Sequence, residues 1–194
     1  FIMTDREIMQ FIEQRFEDNL AVLETENQLR LNGYIKDQAL KQVKLYWKKM
    51  KDTAQKVSET EVPLTLANQK TPSGRTVSIH GVVDIVQEDD ETVLYDIKTH
   101  DPDFVRENTA VYEKQLNIYA KIWEGINSRR LDRTAIIATT LSPNLRSALK
   151  DHDADSAVVV SLLKEWNPLI PLSYSEQAAE ETGSEFAPTV DRIE

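Results

Sequence analysis

Thr76-Val77-Ser78-Ile79-His80-Gly81-Val82-Val83-Asp84-Ile85-Val86-Gln87, followed by Thr92-Val93-Leu94-Tyr95-Asp96-Ile97-Lys98, is the stretch whose reading decides the fold. Both runs are rich in β-branched and aromatic residues, which predicts strands. The acidic connection Glu88-Asp89-Asp90-Glu91 is too short for a crossover and favours an antiparallel hairpin. With the turn centred on Asp90, paired residues carry numbers summing to 180, which sets Asp84 opposite Asp96. Directly opposed residues hold their Cβ atoms roughly 4.5–5.5 Å apart, close enough for two carboxylates to share one cation.

Strand side chains alternate between faces, so Asp96 and Lys98 share one face while Val93, Tyr95 and Ile97 point to the other, joined by Val83 and Ile85. Because Val82, Val86 and Leu94 fall on the acidic face, the sheet is expected to be covered on both sides. An Asp-x-Lys triplet alone is ordinarily solvated surface. Here the acids interrupt apolar strands, where an unpaired buried carboxylate costs several kcal/mol. Two opposed aspartates also repel unless a cation or proton lies between them. Two carboxylates and one ammonium on a single face are the minimum apparatus for metal-dependent phosphodiester cleavage.

Outward from the hairpin, Thr4-Asp5-Arg6-Glu7 reads as a helix cap and first turn, with Ile8, Ile12 and Phe16 at helical spacing. A second helix is predicted over about 34–56, a strand over 61–66 and a loop over 68–75. After Lys98 comes a polar loop, 99–103. Tyr112, Leu116, Tyr119, Ile122, Trp123 and Ile126 mark a helix ending near Gly125. A strand over 134–141 is closed by Ser142-Pro143, and a helix over about 154–166 precedes an acidic stretch. The order predicts an α/β fold, a mixed β-sheet flanked by helices with an N-terminal helical segment. The expected organisation is one domain with a helical part over 1–58, a core over 59–150 and a helical or irregular extension over 151–194.

A chain of 194 residues, 40% hydrophobic and 7% aromatic, can bury a full core. No apolar run approaches the roughly 18 residues that span a bilayer, so no membrane role is expected. The absence of cysteine excludes disulfides, thiolate zinc sites and an iron–sulfur cluster within this segment, and a cytoplasmic setting, nucleoid-associated if the source is bacterial, is the expectation. The chain starts without methionine and stops within a polar, helix-like run at 189–194, so it reads as a fragment of a longer polypeptide. The net charge of −10 is unfavourable for gripping phosphates. Basic residues nonetheless cluster at Lys36–Lys56 and at Arg129, Arg130 and Arg133, patterns that ordinarily serve solubility.

The series Glu61-x-Pro63, Gly81-x-x-Asp84, Asp96-x-Lys98-Thr99 and Gln115-x-x-x-Tyr119 resembles the PD-(D/E)xK nuclease superfamily over roughly residues 34–141. The closer likeness is to its RecB-like branch, whose members occur as free exonucleases and at the C-terminal ends of UvrD-type helicases. The resemblance implies a restriction-endonuclease-like core and a DNA exonuclease of recombination and repair, acting on a single strand or duplex end. It implies that Asp84 and Asp96, with the backbone carbonyl of Ile97, bind Mg²⁺ or Mn²⁺. Lys98 would orient or help deprotonate the attacking water. Gln115 and Tyr119 would contact the DNA strand, with Glu61 in support, and a helicase domain in the same chain or complex is the implied partner.

The Gly-x-x-x-His helix with which RecB-like nucleases usually supply a metal-binding histidine does not occur before Tyr34. His80 and His100 share the Asp84/Asp96 face on the register above, which makes His80 a candidate substitute; a histidine at a strand end is otherwise surface. Many relatives also hold an iron–sulfur cluster on C-terminal cysteines, and residues 186–193 resemble the approach to that region. The rival expectation is a catalytically inactive nuclease fold serving as a structural or DNA-guiding module of a helicase complex. Cleavage of RNA stays open, since nothing in the sequence reads a 2′-hydroxyl.

Overall fold

Thr4 and Glu7 form the reciprocal cap that the sequence announces: the Thr4 hydroxyl accepts the Glu7 N–H at 3.3 Å and the Glu7 carboxylate accepts the Thr4 N–H at 2.7 Å. The computed structural model describes residues 3–28, 30–175 and 177–182. In chain order the elements are α1 (Asp5–Glu26), α2 (Gly33–Ala54), β1 (Val57–Lys70), β2 (Thr76–Glu88), β3 (Thr92–Lys98), α3 (Pro102–Glu107), α4 (Thr109–Asn127), β4 (Arg133–Ala138), α5 (Pro143–Asp151), α6 (Ala157–Glu165) and β5 (Leu169–Leu172). They group into two compact units. One comprises Phe1–Ala54 with Leu141–Trp166, the other Gln55–Thr140 with Asn167–Glu194. Residues 141–150, expected in the core from sequence, therefore group with the helical unit. The polar run at 189–194 and the segment 186–193 lie outside the described residues.

The helical unit comprises α1, α2, α5 and α6, and α2, α5 and α6 meet around Leu45, Leu141, Leu145, Leu149, Val159, Leu163 and Trp166. Glu24 closes the α1–α2 turn by accepting the Leu31 N–H at 2.8 Å and pairing with Lys36 at 2.9 Å. These partners hold the Glu24 carboxyl below its ordinary range. The lysines of α2 face their own unit's acids: Lys41 pairs with Asp37, Lys44 with Glu13, Lys48 with Asp155 and Lys51 with Asp5. The basic cluster at Lys36–Lys56 is thus largely neutralised within the protein.

The second unit is a five-stranded sheet in the order β1-β2-β3-β4-β5. The β3–β4 ladder is parallel and the other three pairings are antiparallel, so the sheet is mixed, as expected. Helix α4 supplies the parallel crossover from β3 to β4 and lies along the sheet. Ala120, Ile122 and Trp123 pack with Leu64, Val83, Val86 and Leu94, while Tyr112 and Leu116 pack with Ile136, Ala138, Ile170 and Leu172.

The structure adds to and corrects the sequence reading in several places. β1 runs to Lys70 rather than ending at 66, so β1 and β2 form a long ribbon. Val83, expected on the face of Ile85, joins the cluster of Val86 and Leu94 under α4; alternation breaks between Val83 and Val86, beside Glu61, whose backbone is left-handed. The polar stretch after Lys98 contains α3, and the residues after β4 contain α5. β5 is a four-residue edge strand carrying Pro171, which an edge tolerates because its N–H side is not needed by a neighbour.

Candidate active site

The β2–β3 ladder has the expected register: Glu88 pairs with Thr92, Gln87 with Val93, Val86 with Leu94 and Ile85 with Tyr95. There the pairing ends, one step short of Asp84 and Asp96. Beyond Tyr95, β3 continues only against β4, where Asp96 lies beside Ile136 and Lys98 beside Ala138. The sheet therefore opens between β2 and β3, and the acids stand in the opening. The Asp84 Oδ2 accepts the Ile97 N–H at 2.6 Å, replacing the ladder acceptor that β2 no longer offers.

Asp96 is only 3% exposed, so its carboxylate has lost nearly all contact with water. The Lys98 ammonium stands 2.5 Å from Asp96 Oδ2. Lys98 is the donor that faces this oxygen and lowers its proton affinity, and no second donor among the described residues is directed at it. Burial pushes the Asp96 carboxyl above the ordinary aspartate range; Lys98 offsets part of the rise, and the neighbouring Asp84 adds to it. A buried carboxylate oxygen with spare lone pairs and a second carboxylate close by is a site with room for a cation. The donor set, all oxygen, suits Mg²⁺ or Mn²⁺.

Glu61 enters the same opening from β1. It lies between the pairs Thr60–Ile85 and Val62–Val83, which puts it beside Asp84 across the β1–β2 ladder. Its φ is +52°, in the left-handed region that a residue with a Cβ ordinarily avoids. Thr60, Glu61, Asp84, Ile85 and Ile97 line a cleft of about 360 Å³. Neither Thr60 nor Ile85 carries a sequence signal that would single it out.

Gln115 and Tyr119 lie one turn apart on α4, and the Gln115 amide donates to the Tyr119 hydroxyl at 3.0 Å. Tyr119 reaches its place because β2 has a glycine beneath it: a Cβ on Gly81 would sit 2.6 Å from Tyr119 Cε1. Gly81 of the Gly-x-x-Asp series is thus a spacing residue for the tyrosine.

The histidines do not converge on the acids. His80 is exposed on the β1–β2 ribbon, with its Nδ1 3.0 Å from the Thr65 hydroxyl of the paired strand. His100 is tied to α4 through the Tyr112 hydroxyl at 2.9 Å and lies against the Phe104 ring. Among the described residues no group of three or more His, Cys, Asp or Glu side chains is placed to hold a metal ion. The basic pair flanking β4 is likewise engaged, Arg129 with Glu88 at 3.0 Å and Arg133 with Glu91.

A model of the PD-(D/E)XK nuclease superfamily matches residues 3–189. The chain is also similar to one of the subunits of the ATP-dependent helicase/nuclease of Ligilactobacillus salivarius (strain UCC118), with 26% identity over 163 residues. That alignment covers 74% of this chain and 12% of the relative, so the chain spans about an eighth of the length of the protein it matches. Among the described residues, no helix is long and apolar enough to cross a membrane.

Proposed function

Because this chain belongs to the PD-(D/E)XK nuclease superfamily, we propose that it is the nuclease module of a DNA-processing protein and hydrolyses phosphodiester bonds at the opening between β2 and β3. The observation that carries the reading is the Asp96 carboxylate: nearly inaccessible to water, held 2.5 Å from the Lys98 ammonium, and close enough to Asp84 to feel its charge. A buried ion pair with a second carboxylate beside it contributes little to stability by itself, whereas a site that receives a cation and a phosphate uses all three charges.

In this reading Asp84 and Asp96 hold the divalent ion, with the Ile97 carbonyl as a further oxygen donor. When bound, the ion supplies a Lewis acid that lowers the pKa of water and neutralises charge building on the phosphate. Lys98 keeps its ammonium at the rim of the buried acid, where it orients water and faces the phosphate oxygens. Asp84 fixes the β3 backbone through the Ile97 N–H, so the carbonyl of the same residue is held in position. Gln115 and Tyr119, hydrogen-bonded to each other, form the α4 side of the substrate path. Glu61 sets a carboxylate beside Asp84 in the cleft.

The finer assignments are part of the same proposal. DNA ends are the substrate, exonucleolytic trimming in recombination or double-strand-break repair is the role, and the setting is cytoplasmic. The relative's name joins a helicase to a nuclease, which supports a helicase module in the same polypeptide or complex as partner. The test is Mn²⁺- and Mg²⁺-dependent degradation of end-labelled single-stranded, linear duplex and circular DNA. Asp96→Asn and Lys98→Met are each expected to lower the rate by about 100-fold or more while leaving the far-ultraviolet dichroism unchanged. A chain inert on every DNA form with both ions, yet still binding DNA, would overturn the catalytic reading in favour of a guiding module.

A further inference from the structure

The charge of this protein is distributed unevenly along the chain. With 33 acidic residues and a net charge of −10, its longest stretch without Asp or Glu is 62–83, the 22 residues between Glu61 and Asp84. Those residues are the far part of the β1–β2 ribbon, which starts at the cleft and turns at 71–75. Its only charged side chains are Lys70 and Arg75, joined by the titratable His80.

The ribbon has two unlike faces. Val62, Leu64 and Leu66 on β1, with Ile79 and Val83 on β2, pack toward α4. Pro63, Thr65 and Ala67, with Ser78, His80 and Val82, alternate with them and are exposed. The register pairs Pro63 with Val82, Thr65 with His80 and Lys70 with Thr76. From the Glu61–Asp84 position outward, the exposed face therefore presents an apolar pair, then a hydroxyl–imidazole pair, then the cations of the tip. Val82 is 49% exposed, and Ile97, at the cleft, is 40% exposed.

We propose that this acid-free face is the track of the substrate strand. A nucleic-acid strand leaving the cleft would lay sugar and base surface on Val82 and Pro63, meet a hydrogen-bonding pair at His80 and Thr65, and bring its phosphates to Lys70 and Arg75. Electrostatics chooses the occupant: in a protein this acidic, a strip from which every carboxylate is missing accommodates a polyanion that the rest of the surface repels. Five of the α2 lysines, Lys36, Lys41, Lys44, Lys48 and Lys51, already pair with carboxylates of their own unit, and Lys49 donates to the Lys164 carbonyl. His80 thereby gains a place that does not require it to bind metal. The proposal rests on the nuclease reading for the position of the cleft but not for the binding itself.

The test uses the 194-residue chain carrying Asp96→Asn, with fluorescein-labelled oligothymidylate of about 16 nucleotides, titrated at several salt concentrations without divalent ions. Neutralising the tip with Lys70→Gln and Arg75→Gln should weaken binding about tenfold at low salt. It should also flatten the log–log salt slope by about 1.4, since each single-strand phosphate contact contributes about 0.7. Val82→Asp should weaken binding comparably. Lys150→Gln with Lys164→Gln, an equal loss of exposed charge on α5 and α6, should change neither quantity. Equal effects from the two pairs, or no binding by the parent chain, would overturn the track. Ribbon-dependent binding, with no cleavage by the chain that keeps Asp96 when Mg²⁺ or Mn²⁺ is added, would keep the track and remove the nuclease reading. Cleavage by the chain that keeps Asp96, measured with Mn²⁺ and with a KM that ignores Lys70→Gln and Arg75→Gln, would do the reverse.

Discussion

Replacing Gly81 with alanine tests how β2 and α4 are fitted together. The new methyl would lie 2.6 Å from Tyr119 Cε1, 3.2 Å from Cδ1 and 3.4 Å from Cζ. Carbon atoms settle at about 3.5–4.0 Å, so the ring must retreat by roughly 1 Å. It starts from a hydrogen bond to Gln115 and from packing against both clusters under α4. Overpacking of this kind costs about 1–3 kcal/mol, which for a chain of this size lowers the melting temperature by about 2–4 °C per kcal/mol. The assay is a thermal melt followed by circular dichroism in EDTA, run as a cycle with Tyr119→Ala and Tyr119→Phe. Gly81 has no positive φ, so once the ring is gone the alanine should be neutral or stabilising by about 0.4–1 kcal/mol through the unfolded chain. With Tyr119→Phe the ring remains and the full loss should persist. If Gly81→Ala destabilises equally with and without the Tyr119 ring, the steric account is wrong.

Three other outcomes are expected. Asp96→Asn should raise the melting temperature near neutral pH in EDTA while removing cleavage, an effect on the order of 1 kcal/mol. Because the folded-state pKa of Asp96 is raised, its ionisation removes stability as pH rises through that pKa, so the advantage of the variant should shrink on acidification and vanish below the unfolded aspartate value. At Glu61, a β-branched residue should suffer at φ +52°: Glu61→Val is expected to be about 1–2 kcal/mol less stable than Glu61→Gly, compared by urea unfolding. Thr4→Ala should lose about 1 kcal/mol by breaking the capping box without altering the cleavage rate, and a change in rate would contradict a purely local role.

The hairpin, its register and the faces of Asp96 and Lys98 were legible because period-two patterning and an acidic turn act locally. Two helices that the pattern of apolar residues does not announce are instructive in the opposite sense. Both α3 and α5 begin with a capping side chain followed by proline, Asp101-Pro102 and Ser142-Pro143, and proline at the first helical position is a start signal. In each place the same dipeptide also reads as the end of a strand or as a loop, since it directly follows one. What sequence cannot express is where a ladder stops. That Ile85–Tyr95 is the last pair, that Asp84 turns to the Ile97 N–H and that Glu61 takes a left-handed φ all depend on the twist of the ribbon and on its packing against α4. The histidine geometry failed to transfer for the same reason, because residues several steps beyond a diverging pair no longer share a face.

The bond from the Ile97 N–H to Asp84 makes one carboxylate serve two masters. As a side chain it belongs to the cleft; as an acceptor it mends the seam where a central strand has lost its neighbour. Removing it exposes a peptide donor in the middle of a sheet as well as deleting a proposed ligand, so lost activity in an Asp84→Ala variant would not distinguish chemistry from a loosened strand. The same coupling runs the other way: whatever draws charge from Asp84 is felt by the β3 backbone, which makes the Ile97 amide a gauge, built into the main chain, of what occupies the cleft.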